Sequence, residues 1–260
     1  WDFGTKVESI RAKAHRVGDS PPSSPAESGE SDWPAQRPGS DFPMLLVRPP
    51  GVYRTQEDTS LLREVLRRRG QVAGRSVLDV GSGTGALGIE ACRAGAAELT
   101  AIDLSRRSVL ASWLNSRLHG FRATVRRGDL FAPVAPRRFD LVLANPPYVP
   151  AFGLLPPRHR MARCWDAGPN GRLLLDRICA GVTSVLNEDG ALLLVQSELA
   201  DEQATLDRLA EAGLVTEVLA RALVPFGPVL RARAPELRAR GLLRPDQTEE
   251  ELVVVEARHG

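Results

Sequence analysis

The sequence predicts an α/β fold: a mostly parallel sheet of seven strands, with helices on both faces and one reversed strand. Short runs rich in Val, Ile and Leu alternate with amphipathic helical segments from about residue 57 onward, which indicates βαβ units around a parallel sheet. A glycine-rich turn joins the first of these runs to a helix, as in nucleotide-binding sheets. The last two runs lack a predicted helix between them, which favours an antiparallel hairpin at the sheet edge.

Individual elements follow from the same periodicities. Apolar residues on one face predict the first helix, and Ser105 is placed to cap the third helix. The helices are predicted over 57–69, 86–94, 105–119, 170–186 and 198–211. The strands are predicted over 75–80, 98–103, 123–129, 139–144, 191–196, 214–220 and 251–257.

An arginine-rich stretch at 227–244 separates the last two predicted strands. It contains Arg231, Arg233, Arg238 and Arg240. A solvated loop is the favoured interpretation, and a surface that binds an acidic partner or RNA phosphates is the alternative.

The first 43 residues differ in composition from the rest. They are rich in Pro, Ser, Gly and acids, with too little apolar content to build a core. Met44 opens the first stretch that resembles a folded core. We therefore expect a flexible extension over 1–43 and one folded domain over 44–260.

The composition argues against several classes of protein. The three cysteines, Cys92, Cys164 and Cys179, lack C-x-x-C spacing, which fits reduced thiols better than a disulfide frame or a zinc site. The four histidines are scattered, so no metal site is predicted.

No apolar run reaches the roughly 20 residues that cross a bilayer, and no signal peptide is recognisable. We expect a cytoplasmic protein without membrane contact. The net charge of +2 does not indicate general nucleic-acid binding, although a local basic patch stays open.

The glycine-rich turn is VLDVGSGTGALG, at residues 77–88. Gly81, Gly83 and Gly85 allow a tight turn and let a ligand approach the backbone, next to a helix N-terminus with partial positive charge. Asp103 ends the next predicted strand, where an acid accepts hydrogen bonds from ribose hydroxyls. Gly81-x-Gly83-x-x-Ala86 also satisfies a dinucleotide fingerprint, so the turn alone leaves a nicotinamide cofactor open.

Three further features weigh against a dinucleotide. Asp79 lies in the strand before the turn, where it suits an ammonium group better than a pyrophosphate. Asp129 ends the third predicted strand, and LANPPY (143–148) ends the fourth. Prolines stop a strand and fix the backbone, so Asn145 offers one acceptor and two donors at a fixed place. Because ligands gather at the carboxyl ends of parallel strands, these motifs are predicted to converge.

These motifs together resemble a known family. VLDVGSGTG, Asp103, GDLF and NPPY resemble the motifs of class I S-adenosylmethionine-dependent methyltransferases, in the branch with an NPPY motif. VYRTQEDT (52–59) is similar to the VYxPxEDT motif of HemK2-type protein glutamine methyltransferases, and CWDAGPNGR (164–172) to their WxGGxxGR segment. The resemblance covers about residues 50–200. It departs at Thr55, Ala167 and Asp79, where the family carries Pro, Gly and often Glu.

The resemblance implies a Rossmann-like class I methyltransferase fold, S-adenosylmethionine as the cofactor, and a set of site residues. Thr59, Asp79 and Gly81 would surround the methionine moiety, Asp103 the ribose, and Asp129 and Leu130 the adenine. Gly83, Gly85 and Asn145 complete the implied cofactor site. The implied catalytic residues are Asn145, Pro146 and Tyr148. The implied substrate contacts are Asn145, Pro147, Tyr148 and Trp165.

The expected chemistry is N-methylation of an amide. Asn145 Oδ1 and the Pro146 carbonyl would accept both N–H bonds of the amide, and Tyr148 would cover its planar face. The resemblance implies that this amide belongs to a protein glutamine, in the Gly-Gly-Gln loop of a translation release factor, and that a small zinc-binding activator protein takes part.

Three other functions stay open from the sequence. One is an N6-adenine or amino-directed DNA or RNA methyltransferase, and another is a small-molecule N-methyltransferase. The third is an S-adenosylmethionine-binding module without catalysis, which the intact NPPY motif disfavours.

Overall fold

The computed structural model describes residues 44–151 and 166–260, so the predicted extension over 1–43 and Trp165 lie outside the described residues. The described chain builds one sheet of seven strands in the order β3-β2-β1-β4-β5-β7-β6. The strands are β1 (Ser76–Val80), β2 (Glu98–Asp103), β3 (Ala123–Arg127), β4 (Phe139–Ala144), β5 (Leu186–Ser197), β6 (Leu214–Pro225) and β7 (Glu249–His259). The helices are α1 (Glu57–Arg69), α2 (Ala86–Arg93), α3 (Arg106–Leu118), α4 (Leu175–Gly181), α5 (Glu202–Glu211) and α6 (Pro228–Ala239).

Strand direction decides which residues reach the site. β3, β2, β1, β4 and β5 are parallel to one another, whereas β7 is antiparallel to both of its neighbours, β5 and β6. The predicted sheet with one reversed strand is therefore confirmed. Because β7 runs in the opposite direction, its first residues lie at the same edge as the carboxyl ends of the parallel strands.

The helices begin and end where the sequence provides local signals. α1 buries Leu61, Leu62, Val65 and Leu66, and each fully buried aliphatic side chain contributes about 1.5–3 kcal/mol. Acids occupy its first turn and arginines its last turn, which suits the helix dipole. In α3, the Ser105 side chain accepts a hydrogen bond from Ser108 N at 3.4 Å, so the predicted cap is confirmed.

Two predicted helices are shorter in the structure. The helix predicted over 170–186 is restricted to α4 and a 3-10 turn over 182–184. Gly171 has φ 75° and packs against the backbone of the NPPY segment. A Cβ added at Gly171 would lie 2.3 Å from Tyr148 O. The helix predicted over 198–211 is divided at Asp201, which has φ 57° and caps α5 by accepting from Ala204 N. Both boundaries depend on backbone conformations that helical periodicity does not reveal.

The structure corrects the prediction for the arginine-rich stretch at 227–244. It was predicted as a loop within a simple hairpin, but it contains the helix α6, so β6 and β7 are antiparallel neighbours joined through a helix. Leu230, Ala234 and Leu237 are buried at helical spacing, which is the signal that the arginines and Pro235 obscured. Arg233 pairs with Asp166 and donates to Pro150 O, so α6 is fixed to the chain that follows the NPPY motif.

Candidate active site

A cavity of about 1100 Å³ lies along the carboxyl ends of the parallel strands. Residues after β1, β2, β3 and β4 line it, together with the start of α1, the end of β6 and the beginning of β7. The volume is slightly above that of ordinary ligand pockets, about 300–1,000 Å³. It offers space for a nucleotide and an additional side chain.

The glycine turn divides its residues between ligand access and packing. Gly81 and Gly83 line the cavity with φ 73° and 55°, a region that favours glycine. Gly85 is not among the lining residues. Its φ is 82°, and an added Cβ would lie 2.8 Å from Ser112 Oγ, so Gly85 serves the contact between the start of α2 and the face of α3.

Asp103 connects the ends of two strands. Its Oδ2 accepts from Gly83 N at 2.9 Å and its Oδ1 from Ser105 N at 2.7 Å. Burial raises the pKa of this carboxyl, against the effect of those backbone hydrogen bonds. Asp103 lines the cavity, and each carboxylate oxygen can accept a further hydrogen bond.

Asp129 and Leu130 lie at the end of β3 and also line the cavity. Asp129 Oδ2 accepts from Arg177 of α4 at 2.7 Å, and both side chains are largely exposed. Leu130 has φ 44°, which is uncommon for a residue with a branched side chain and occurs preferentially at functional sites.

Asp79 is buried behind the turn rather than in the cavity wall. Its Oδ2 accepts from Gly88 N at 3.1 Å, and its Oδ1 has no partner among the described residues. Burial raises the pKa of this carboxyl to about 7, and Asp103 adds to the shift. Its predicted contact with an ammonium group stays a prediction.

The NPPY motif is anchored to α1. Asn145 Nδ2 donates to Thr59 Oγ1 at 3.1 Å. Because the amide nitrogen is used in this bond, Oδ1 is left as the acceptor. Asn145, Pro146 and Pro147 line the cavity, whereas Thr59 supports Asn145 from behind and does not line it.

Asp58 holds the only two tyrosines of the chain. Its Oδ2 accepts from Tyr148 at 3.0 Å and from Tyr53 at 2.7 Å, and its Oδ1 accepts from Thr59 N. Burial, with a further contribution from Asp58, raises the pKa of both phenols well above their usual value. Both tyrosines therefore act as neutral donors with fixed rings, and neither serves as a base.

Among the lining residues that sequence reasoning did not predict, Tyr53, Asp58 and Glu250 carry polar groups used below. Tyr53 and Asp58 lie in the VYRTQEDT segment, which was recognised without roles for them. Glu250 lies at the beginning of β7 and lines the cavity, and no local motif indicates it, because only the reversal of β7 brings it there. Trp165 is outside the described residues, but Asp166, which follows it, lines the cavity.

The sheet with its reversed β7, the glycine turn after β1 and the acids after β2 and β3 define a class I methyltransferase. A solved structure with this fold is the E. cuniculi Mtq2–Trm112 complex, responsible for methylation of the eRF1 termination factor. It has a TM-score of 0.57 at 24% identity, covering 81% of this chain and 99% of that chain.

Sequence comparisons identify the family. Residues 44–152 match the family described as Methyltransferase small domain. A Methanocaldococcus jannaschii protein assigned as a protein N5-glutamine methyltransferase is 32% identical over 177 residues, covering 68% of this chain and 88% of that protein. The release factor glutamine methyltransferase of Geobacter sulfurreducens is 30% identical over 182 residues, 67% of this chain and 62% of that enzyme. The chain belongs to the HemK-type protein N5-glutamine methyltransferases.

Membrane insertion has no support in the described helices. Over residues 44–151 and 166–260, none combines the length and the apolar character needed to cross a bilayer.

Proposed function

We propose that this protein transfers a methyl group from S-adenosylmethionine to the side-chain amide nitrogen of a glutamine in another protein. The observation that carries the proposal is Asn145, whose amide is fixed to Thr59 Oγ1 at 3.1 Å at the end of a buried strand. Two prolines follow and stiffen the backbone, so the acceptors Asn145 Oδ1 and Pro146 O have a defined separation. Family membership supports the reaction type.

The cavity fits the cofactor. Gly81 and Gly83 leave the backbone open, since an added Cβ at Gly81 has no neighbour within 4 Å. Asp103 would accept from the ribose hydroxyls, and Asp129 with Leu130 would hold the adenine. We assign Gly85 to packing, because it faces Ser112.

The chain's own contribution is alignment. When bound, the cofactor supplies a methyl group already activated on a sulfonium. An amide nitrogen is a poor nucleophile because its lone pair is delocalised. Asn145 Oδ1 and Pro146 O would accept its two N–H bonds, which directs the nitrogen and stabilises the positive charge that develops on it. Tyr148, held by Asp58, would cover the amide and exclude water.

The acceptor protein in this proposal is a translation release factor, methylated at the glutamine of its Gly-Gly-Gln loop. Support comes from the Geobacter relative and the Mtq2 neighbour, whose names give release factors as their substrates. A small activator protein is proposed as a partner, because the Mtq2 structure is a complex with Trm112. A cytoplasmic location completes the proposal.

Radiolabelled cofactor provides the test. Wild type and Asn145→Ala would be offered a release-factor domain, total cell protein and total nucleic acid side by side, with and without a Trm112-type activator. We expect label in the release-factor domain with wild type only, on a glutamine identified by mass spectrometry. Label in nucleic acid instead would contradict the proposal and favour an amino-directed nucleic-acid methyltransferase.

A further inference from the structure

The arginines that line the cavity lie in one part of it, whereas acids line both parts. We call the lining residues at and after the ends of β1, β2 and β3, together with Arg177, the nucleotide half. We call those from α1, the NPPY segment, β6 and β7, together with Asp166, the acceptor half. Every arginine that lines the cavity belongs to the nucleotide half: Arg106, Arg107, Arg127 and Arg177. Among the described lining residues, the acceptor half has Glu57, Asp58, Asp166 and Glu250 and no arginine or lysine.

One of these acids is already neutralised within the chain. Asp166 pairs with Arg233 of α6. Asp58 is occupied by two phenols and the Thr59 N–H. These are neutral donors, so they satisfy its hydrogen bonding without cancelling its charge.

Glu250 is the buried acid with unused binding capacity, whereas Glu57 is exposed to solvent. It is 9% exposed, lines the cavity, and its Oε2 has no partner among the described residues. Unpartnered buried carboxyl oxygens are costly, and a ligand that supplies a donor or a positive charge removes that cost. The charge of Glu250 contributes to the raised pKa of both tyrosines, and the charge of Asp58 contributes to the raised pKa of Glu250. Glu250 therefore belongs to the same cluster as Tyr148 of the NPPY motif.

The topology separates Glu250 from the nucleotide. Gly81 and Asp129 follow β1 and β3, and Asp103 ends β2, all on one side of β4 in the sheet. Glu250 lies on β7, paired with Val224 of β6, on the other side of β4 and beyond β5. Asn145, at the end of β4, lies between the two groups.

We propose that Glu250 determines acceptor specificity by binding a positively charged side chain next to the methylated glutamine. The inference rests on the proposed function and deepens it. A cation in this place gains two carboxyl groups, Glu250 and Asp58, in a site of reduced dielectric constant, where charge pairing is stronger than in water. Burial raises the pKa of the Glu250 carboxyl to about 7, and a bound cation would stabilise its ionised form.

The test uses peptides of one length around Gly-Gly-Gln, with arginine at successive positions on either side, or with citrulline in its place. Citrulline keeps the shape of arginine and lacks its charge. Wild type, Glu250→Gln and the control Glu249→Gln would be compared by KM. Fluorescence anisotropy of labelled peptide, with S-adenosylhomocysteine in the site, reports binding without turnover. Glu249 is adjacent, exposed and outside the cavity wall, so its variant controls for charge.

We expect wild type and Glu249→Gln to favour arginine over citrulline by about tenfold at one position, in both KM and peptide binding. In Glu250→Gln the preference should fall to about twofold or less, with kcat and S-adenosylhomocysteine affinity within about threefold, because uniform binding affects KM alone. A preference that survives in Glu250→Gln, or its absence in wild type, would overturn the inference. If no peptide or release-factor domain is methylated, the proposed function fails, and the anisotropy preference still decides whether Glu250 binds a cation.

Discussion

The two halves of the cavity are built in different ways. In the nucleotide half, short local motifs supply both the ligand-facing residues and their support: Asp103 is held by Gly83 N and Ser105 N. In the acceptor half, the residues that meet come from distant parts of the chain. Asp58 belongs to α1, Tyr148 to the segment after β4, and Glu250 to β7. Local sequence motifs therefore supply the predicted cofactor contacts, whereas the predicted acceptor contacts depend on the assembled sheet.

The largest expected effect separates transfer from binding in the acceptor half. Asn145→Ala should lower kcat at least about a thousandfold, because it removes an acceptor aligned with the reacting amide. S-adenosylmethionine affinity should stay within about tenfold of wild type. Single-turnover kinetics and calorimetry would measure the two quantities. An equal loss in both would mean that Asn145 is structural, and the two halves would not be functionally distinct.

The second experiment tests whether the nucleotide half acts on cofactor affinity alone. Asp103→Asn replaces an acceptor oxygen by a donor that faces Gly83 N or Ser105 N, so cofactor affinity should fall by about a hundredfold. At saturating cofactor, kcat should stay within about threefold. Glu98→Gln is the matched control, because it makes the same chemical change at the exposed beginning of β2, where Glu98 pairs with Arg137. A large fall in saturated kcat for Asp103→Asn would contradict the division of labour.

Gly81 and Gly85 allow ligand access and packing to be separated within one turn. Gly81 and Gly85 have similar φ, 73° and 82°, so alanine should cause similar backbone strain at both. Only Gly85→Ala also collides with Ser112. We expect Gly85→Ala to lower the free energy of unfolding by about 1–3 kcal/mol more than Gly81→Ala, and Gly81→Ala to weaken cofactor binding more. Denaturant unfolding and calorimetry at a temperature where both variants are folded would check this, and a reversed order would return Gly85 to the cofactor site.

The smallest expected effect is a pH dependence that originates behind the nucleotide half. Burial raises the pKa of Asp79 to about 7 from its usual value of 3.8. The folded state therefore holds a proton that the unfolded state releases, so this group's contribution is greatest below about pH 4 and is lost as pH rises to about 7.

The measurable consequence is a difference between wild type and Asp79→Asn. The variant should gain stability relative to wild type between pH 5 and pH 8, by several degrees in Tm. Asp189→Asn, at an exposed position, should show no such gain. Parallel Tm curves for wild type and Asp79→Asn would show that Asp79 is ionised at both pH values.

Much of the fold could be predicted from the sequence because its signals are local. The bounds of α1 and the cap of α3 depend on residues within one or two helical turns, and the buried strands depend on short apolar runs. The shortened α4 and the break at Asp201 could not be predicted, because they depend on left-handed backbone at Gly171 and Asp201. The helix α6 was missed because its buried face consists of only Leu230, Ala234 and Leu237 among many arginines.

Contiguous motifs in the sequence predict the class of protein, a glycine-rich turn suited to a nucleotide, and the strand end that carries Asn145. Only the tertiary structure decided that Gly85 packs against Ser112, that Asp79 is buried behind the turn, and that Asp58 joins both tyrosines. It also decided that Glu250 reaches the cavity. The physical reason is strand direction: a reversed β7 brings its first residues to the edge where the parallel strands end, and no local pattern in the sequence carries that information.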